Sequence, residues 1–548
     1  MRARVHVWRR CVAALLFAAL LAGAVPSVAS AATVTVTSTA DSGPGSLRAT
    51  VAAATASDTV TIPAGSYVLA TPVVVDKTLT LQGAGARSTI LDGGFTTRLL
   101  TLQSPAGQVT IQGVRITRGK VAGPGGGIYS LVPLILRDSA LVGNQATAGP
   151  GGGLYQGSVL TMERTLLAGN SAPASDGGGV ELAPAGAPTS TIRSSTITQN
   201  SASGSGGGIN VDNSSAQFLN IVNSTLDANT LSGSGQGGNF RAWTSTTVRM
   251  RNTWTGHGVA GSGPNCYQAG SAFVISQGNN AQDGNDAECH FNGANGDKVN
   301  VDDKFTPLQD NGGPSDTLAP GAGSPLLDAG DGATCAATDQ RGLARPQGAG
   351  CDIGAVERTT PTLANAGAEA ISASAATITV DTNAQGLPGV LRVDYGPTSA
   401  YGPSAQVDIP STAGAQRLGV PLPGLAAATT YHYRVTLTTP DGAKSTTDAT
   451  FTSAAAPPAP PPPAAGAGGT KPAARCIVPK LKGLTLAAAR TKLARARCRL
   501  GTVQRPKRAA RGATLVVKTQ GPAAGRSLAS GAKVQVTLAK KTRKRAKH

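Results

Sequence analysis

Four positions one repeat apart carry side chains able to hold a sugar. Each follows a glycine triplet and one apolar residue: Tyr129 in "GPGGGIYS", Tyr155 in "GPGGGLYQ", Glu181 in "DGGGVELA" and Asn210 in "GSGGGINV". Aromatic faces pack on sugar rings while carboxylate and amide groups bond hydroxyls, so this column is the candidate ligand-binding set. Cleaving a glycosidic bond would also need paired carboxylates acting as acid and base from adjacent repeats. Glu163, Asp176, Glu181, Asp212 and Asp227 do not share one column, and no paired-Asp motif precedes His257 in "TGHGVAG". No catalytic residue is therefore assigned. A calcium-dependent lyase reading lacks its ladder of aspartates and a well-placed Arg–Lys pair.

Cysteine chemistry points elsewhere. Beyond Cys11, six cysteines fall in three local pairs, Cys266 with Cys289, Cys335 with Cys351 and Cys476 with Cys498. Each pair lies inside one segment of distinct composition, so local disulfides are expected, each stabilising by about 3 kcal/mol. There is no C-x-x-C and no nearby histidine pair, so neither a metal site nor a cofactor is expected.

The elements that must position these residues follow from the repeat. The triplets begin at 125, 151, 177 and 206, and each is followed by a second element, "SALVGN", "TLLAGN", "STITQN" or "STLDAN". Aligned on Asn144, Asn170, Asn200 and Asn229, three columns are apolar throughout. They are Ile128, Leu154, Val180 and Ile209; Leu136, Met162, Ile192 and Ile221; and Leu141, Leu167, Ile197 and Leu226. A fourth column is hydroxylic: Ser139, Thr165, Ser195 and Ser224. Like residues at one period are what stacked parallel strands produce, with equivalent side chains about 4.8 Å apart. The spacing of two within short runs excludes helix hairpins. The pattern predicts a right-handed parallel β-helix over 32–260, with a glycine triplet at one corner of each coil, where positive φ excludes a Cβ. The asparagines read as a structural turn ladder. Before the coils, "GSLRATVAAATA" reads as a short helix capped by Ser46 that covers the open end of the stack.

"VTSTADSGPGSLRATVAAATASDTVTIPAGSYVL" resembles the opening of exported β-helix proteins of the polymorphic outer-membrane and pectate-lyase-like type, and residues 307–357 resemble the choice-of-anchor Q segment. The resemblance covers roughly 33–357 and implies a β-helix displayed outside the cell, with 261–357 closing it. Gly-His-Gly at His257 resembles one polygalacturonase motif. "VDYGPTSAYG" and "GLAAATTYHYRVTLTTPDG" resemble a fibronectin type III domain over 361–453, implying a spacer. A Pro/Ala/Gly-rich linker, 454–475, separates it from 476–540, which is similar to a PASTA domain and so implies attachment to peptidoglycan. There the helix is legible without the resemblance: Thr485 caps it, and Leu486, Ala489, Leu493 and Ala496 share one face.

Charge and targeting complete the reading. Residues 1–31 carry four arginines, an apolar run from Val12 to Val25 and the small-x-small site Ala29-Ser30-Ala31, the signature of a cleaved signal peptide. The run is shorter than the roughly 20 residues of a bilayer span. Residues 471–548 hold 22 Lys and Arg and no Asp or Glu, whereas 32–470 hold 22 basic against 29 acidic side chains. The basic surplus thus belongs to the C-terminal module and its tail, 541–548. For an exported chain, anionic wall polymers or lipid head groups rather than nucleic acid are the expected partners. The sequence predicts a mostly β, secreted, cell-wall-associated, non-catalytic display protein, binding extracellular glycan or other surface ligands through the solenoid and peptidoglycan or another anionic wall polymer through the PASTA-like module. The rival is a secreted polysaccharide lyase or glycoside hydrolase.

Overall fold

The computed structural model describes residues 31–212, 217–411, 414–458, 475–506 and 514–540. The expected signal peptide up to residue 30, most of the linker and the basic tail lie outside the described residues. The chain divides into two compact units between Pro457 and Pro458.

Residues 33–282 wind as a parallel β-solenoid whose strands stack, among the described residues, into sheets of ten, nine, eight and five strands. Coil follows coil in the register that the columns predict. Ile128 pairs with Leu154, Leu154 with Val180 and Val180 with Ile209. Leu136 stacks on Met162, then Ile192 and Ile221, and Leu141 on Leu167, Ile197 and Leu226. All of these side chains are fully buried, each favouring the fold by about 1.5–3 kcal/mol.

Polar columns inside the coils bond to their own repeats. Asn144 Nδ2 donates to Asn170 Oδ1 at 2.9 Å, Asn170 to Asn200 and Asn200 to Asn229 at the same distance. The hydroxyl column accepts backbone N–H groups of the preceding coil, as from Thr165 N to Ser195 Oγ at 3.2 Å and Ser195 N to Ser224 Oγ at 3.4 Å. An unbonded amide at these positions would be costly, because no water reaches it.

The first glycine of each triplet turns a corner, with Gly151 at φ 73° and Gly177 at φ 63°. A Cβ on Gly151 would stand 2.5 Å from the Leu154 carbonyl oxygen. Glycine does not account for every bend. Asp138, Arg164, Ser194, Asn223 and Asn252 turn a second corner at φ 46–48°. Their side chains form bonds a glycine could not: Arg164 Nε donates to Asp138 Oδ1 at 2.7 Å, Asn223 Oδ1 accepts from Ala336 N, and Asn252 Oδ1 from Asp331 N, both at 2.9 Å.

The capping helix spans Leu47–Ala53, with Ser46 Oγ accepting from Ala49 N at 3.2 Å and with Leu47 and Val51 buried. At the other end, strands Cys266–Gln268, Phe273–Ser276 and Ala281–Gln282 continue the stack. Residues 303–357 lie against the flank of the solenoid. They run back along the outer face of the nine-stranded sheet as far as Arg87, which bonds Asp310 at 2.8 Å and Asp316 at 2.6 Å. The outward column of that sheet, Ala140, Leu166, Thr196, Thr225, Trp254 and Ala281, is consequently buried. Leu308 packs against a cluster of Ala86, Ala140, Leu166 and Ala168, and Leu326 and Ile353 share a second cluster with Trp254 and Ala281.

Two antiparallel sheets follow. One joins Thr362–Glu369, Ala375–Asn383 and Gln416–Pro423; the other joins Ser404–Ile409, Gly389–Gly396, Thr430–Thr439, Gly442–Ser445 and Ala449–Thr452. Their facing sides alternate into a core that includes Ile378, Val380, Leu391, Val393, Val435 and Leu437. Arg341 ties this body to the solenoid's flank. Its guanidinium is buried between Asp339, at 2.9 Å, and Asp441, at 2.9 Å.

In the second unit, helix Leu486–Arg495 starts at Thr485, whose Oγ1 accepts from Ala488 N at 3.3 Å, and buries Ala489 and Leu493. They pack with Val517, Val534, Val536 and Leu538 from a three-stranded sheet of Arg499–Gln504, Lys533–Lys540 and Leu515–Gly521. All three expected disulfides are present: Cys266–Cys289, Cys335–Cys351 and Cys476–Cys498. Among the described residues, no helix is long and apolar enough to cross a membrane.

Candidate functional site

The eight-stranded sheet alternates inward and outward side chains, and its central outward column joins the four candidate residues. Tyr129 pairs with Tyr155, Tyr155 with Glu181 and Glu181 with Asn210, and the column continues to Arg241 and Tyr267. The two halves of the candidate set differ. Tyr129 and Tyr155 are half-buried and stack with centroids 5.2 Å apart and planes 21° from parallel. The Arg98 guanidinium lies 4.9 Å from the Tyr129 centroid, while its Nε donates to Gly125 O at 2.8 Å. Together they form a broad aromatic shelf with a fixed cation at one end.

Glu181 and Asn210 are 3% and 0% exposed. Asn210 Nδ2 donates to both Glu181 carboxylate oxygens at 3.1 Å, and Arg241 Nη1 donates to Asn210 Oδ1 at 3.3 Å. The Glu181 carboxyl folds back over the corner glycine, where a Cβ on Gly177 would stand 2.7 Å from Oε2. Burial pushes the Glu181 carboxyl well above its ordinary range, Asn210 opposes the shift, and Asp176 and Asp212 reinforce it. Asp176 is raised too, first by burial. The Arg241 guanidinium lies 4.0 Å from the centroid of the exposed Trp243.

Carboxylates from adjacent coils therefore do converge here, although they share no column. Asp176 stands in the turn before the Glu181 strand and Asp212 just past the Asn210 strand, so bends rather than strand register bring them together. Arg98, Arg241 and Trp243 also join the site without having been singled out by the repeat. A signal for Arg241 was present: "QGGNFRAW" and "GSGPNCYQ" continue the motif with Asn239 and Asn265 replacing glycine. Gly237 and Gly263 keep the left-handed corner at φ 77° and 57°.

His257 lies away from this face. It follows strand Trp254–Gly256 of the nine-stranded sheet, with Nδ1 2.8 Å from Asp227 Oδ1. It is thus partnered in the bend that follows the strand.

Residues 477–540 match the model of the PASTA domain. No curated protein matches the chain. Among solved structures, the sensor domain of the anti-sigma factor RsgI4 from Pseudobacteroides cellulosolvens is 20% identical. That alignment covers 18% of this chain and 96% of the other, at a TM-score of 0.16.

Proposed function

We propose that this chain is a secreted, cell-wall-associated display protein whose PASTA domain holds it to peptidoglycan or another anionic wall polymer and whose solenoid offers glycan a shelf over Tyr129 and Tyr155. The observation that carries this reading is the PASTA match at 477–540, in a region with 22 Lys and Arg and no acidic residue from 471 onward. Three disulfides suit an oxidising location outside the cytoplasm. We read the antiparallel sheets as a fibronectin type III-like spacer. Support comes from their two-layer packing and from Tyr431, near the start of its strand, whose hydroxyl accepts from Ala426 N at 2.8 Å. The segment 261–357 is read as a choice-of-anchor Q element that seals the solenoid.

Pelleting with purified cell-wall sacculi tests the anchor. The mature chain should sediment, and a chain ending at Pro457 should stay in solution; equal sedimentation of the two would remove the anchoring role from the PASTA domain. For the shelf, glycan-array signal should fall at least tenfold in Tyr129→Ala/Tyr155→Ala, and an unchanged signal would place the glycan elsewhere.

Cleavage of the bound glycan is a second reading, favoured by Glu181. Burial raises the Glu181 carboxyl well above its ordinary range beside Asp176 and Asp212, and glycoside hydrolysis uses a raised general acid together with a second carboxylate. Reducing-sugar release by the wild type but not by Glu181→Gln would support it, and no release by either would leave the shelf as a binding face alone.

A further inference from the structure

Beyond the glycan face, the flank of the solenoid gathers a histidine and carboxylates from segments far apart in sequence. Asp227 lies on strand Thr225–Asp227, and the next coil places His257 one position past it. His257 occupies the left-handed bend, at φ 53°, that Gly143, Gly169, Gln199 and Ala228 fill in earlier coils. Asp303 comes from the segment that folds back over this flank, seated by Phe305, whose ring meets Trp254 edge-on with centroids 5.7 Å apart. His257 Nδ1 is 2.8 Å from Asp227 Oδ1 and 3.4 Å from Asp303 Oδ2. One donor atom from each of the three residues lies within 4.8 Å of the others.

One atom in this group is unsatisfied. Asp303 is 5% exposed, and its Oδ1 accepts from Phe305 N at 2.7 Å, but its buried Oδ2 makes no hydrogen bond. Its nearest charged neighbour is the His257 imidazole at 3.4 Å, so a carboxylate oxygen taken out of water makes no hydrogen bond here and faces a place where a metal ion could replace the imidazole proton.

We propose that Asp227, His257 and Asp303 bind a divalent cation of the zinc class. An ion with ligands at about 2.0–2.2 Å spaces tetrahedral donors by roughly 3.4 Å, the separation of His257 Nδ1 from Asp303 Oδ2, while Asp227 Oδ1, at 2.8 Å from Nδ1, would draw back slightly to admit it. Imidazole nitrogen beside carboxylate oxygens suits zinc better than calcium or magnesium, which take oxygen ligands. Outer groups orient the ligands. Trp254 Nε1 donates to Asp227 Oδ1 at 3.0 Å, and Asp283 Oδ2 accepts from His257 N at 2.7 Å while facing the ring's Nε2 at 3.9 Å. The His257 side chain is 51% exposed, so the ion has a path from solvent and room for water ligands. Bound there, it would pin two consecutive coils and the returning segment at one point.

The mature full-length chain, stripped of metal by chelation and dialysis, is titrated with Zn²⁺, Mn²⁺ and Ca²⁺ by calorimetry and by thermal unfolding. Zinc should bind this site once per chain and raise Tm by roughly 5 °C at a hundredfold excess over its dissociation constant. Asp303→Asn keeps the side-chain shape and should abolish the Tm rise and weaken zinc binding at least tenfold. His257→Gln should do the same; glutamine already occupies this bend at Gln199, so the variant is expected to fold. Zinc binding equal in the wild type and both variants overturns the assignment, as does a Tm rise from calcium but not zinc. Absence of any zinc effect also overturns it, leaving the cluster as His257 held by its carboxylates alone.

Discussion

At the scale of the residue, Glu181 shows how a repeat position becomes chemically distinct. Its backbone is one more rung in a column with Tyr155 and Asn210, yet its carboxyl is enclosed by the corner glycine, Asn210 and two acidic neighbours. The folded carboxyl keeps its proton above the ordinary value of 4.5, so between that pH and its folded value the native state binds more protons than the unfolded chain. Its contribution to stability is therefore present at low pH and declines as pH rises. Glu181→Gln preserves an oxygen that can accept from Asn210 and removes the titration. The variant should match the wild type in Tm at pH 4 and exceed it at pH 8. Parallel Tm curves for the two proteins would show that Glu181 ionises in the fold as freely as in water.

At the scale of the element, each coil is too thin to be stable alone, and its stability comes from stacking. Leu167 contacts Leu141 and Ile197 through strand pairing and is wholly buried. Leu167→Asp should destabilise the solenoid by more than about 3 kcal/mol, since it loses the leucine's burial and leaves a carboxylate with no partner in an apolar column. Calorimetric unfolding would show it, and an unchanged Tm would mean that the column faces solvent. The asparagine ladder runs further than its sequence motif. Asn229 bonds Asn239, Asn239 bonds Asn265, and Asn265 donates to Asp283 Oδ1 at 2.8 Å. The ladder thus ends on the carboxylate that faces His257.

At the scale of the whole molecule, two features govern behaviour. Arg341 holds the first unit together from within, buried between Asp339 and Asp441 with further bonds to the backbone of Asn311 and Glu357. Arg341→Met leaves two buried carboxylates unpaired and should cost about 3–5 kcal/mol. Limited proteolysis should then cut near 358–361 well before it cuts the wild type; equal protection would show the two parts joined mainly by other contacts. The second feature is the uneven charge, with the basic surplus concentrated beyond residue 470. Binding to sacculi should weaken as salt screens the field over about 8 Å at physiological strength. Deleting 541–548, which removes five Lys and Arg, should reduce only the salt-sensitive part, and a loss of the salt-resistant part as well would locate the specific contacts in the tail.

The sequence by itself determined the coil. Its apolar, hydroxyl and asparagine columns recur at 26 to 30 residues, and because each coil bonds chiefly to the next, that periodicity is a direct record of spatial contact. The three disulfides were legible for a related reason, since each closes a short local loop. Contacts between non-repeating segments leave no such record. That 303–357 runs back over the nine-stranded sheet, that Asp303 reaches His257, and that Arg341 meets Asp441 100 residues away were decided by tertiary packing. So was the convergence of Asp176, Glu181 and Asp212, whose meeting depends on how the bends aim side chains that strand register alone keeps apart.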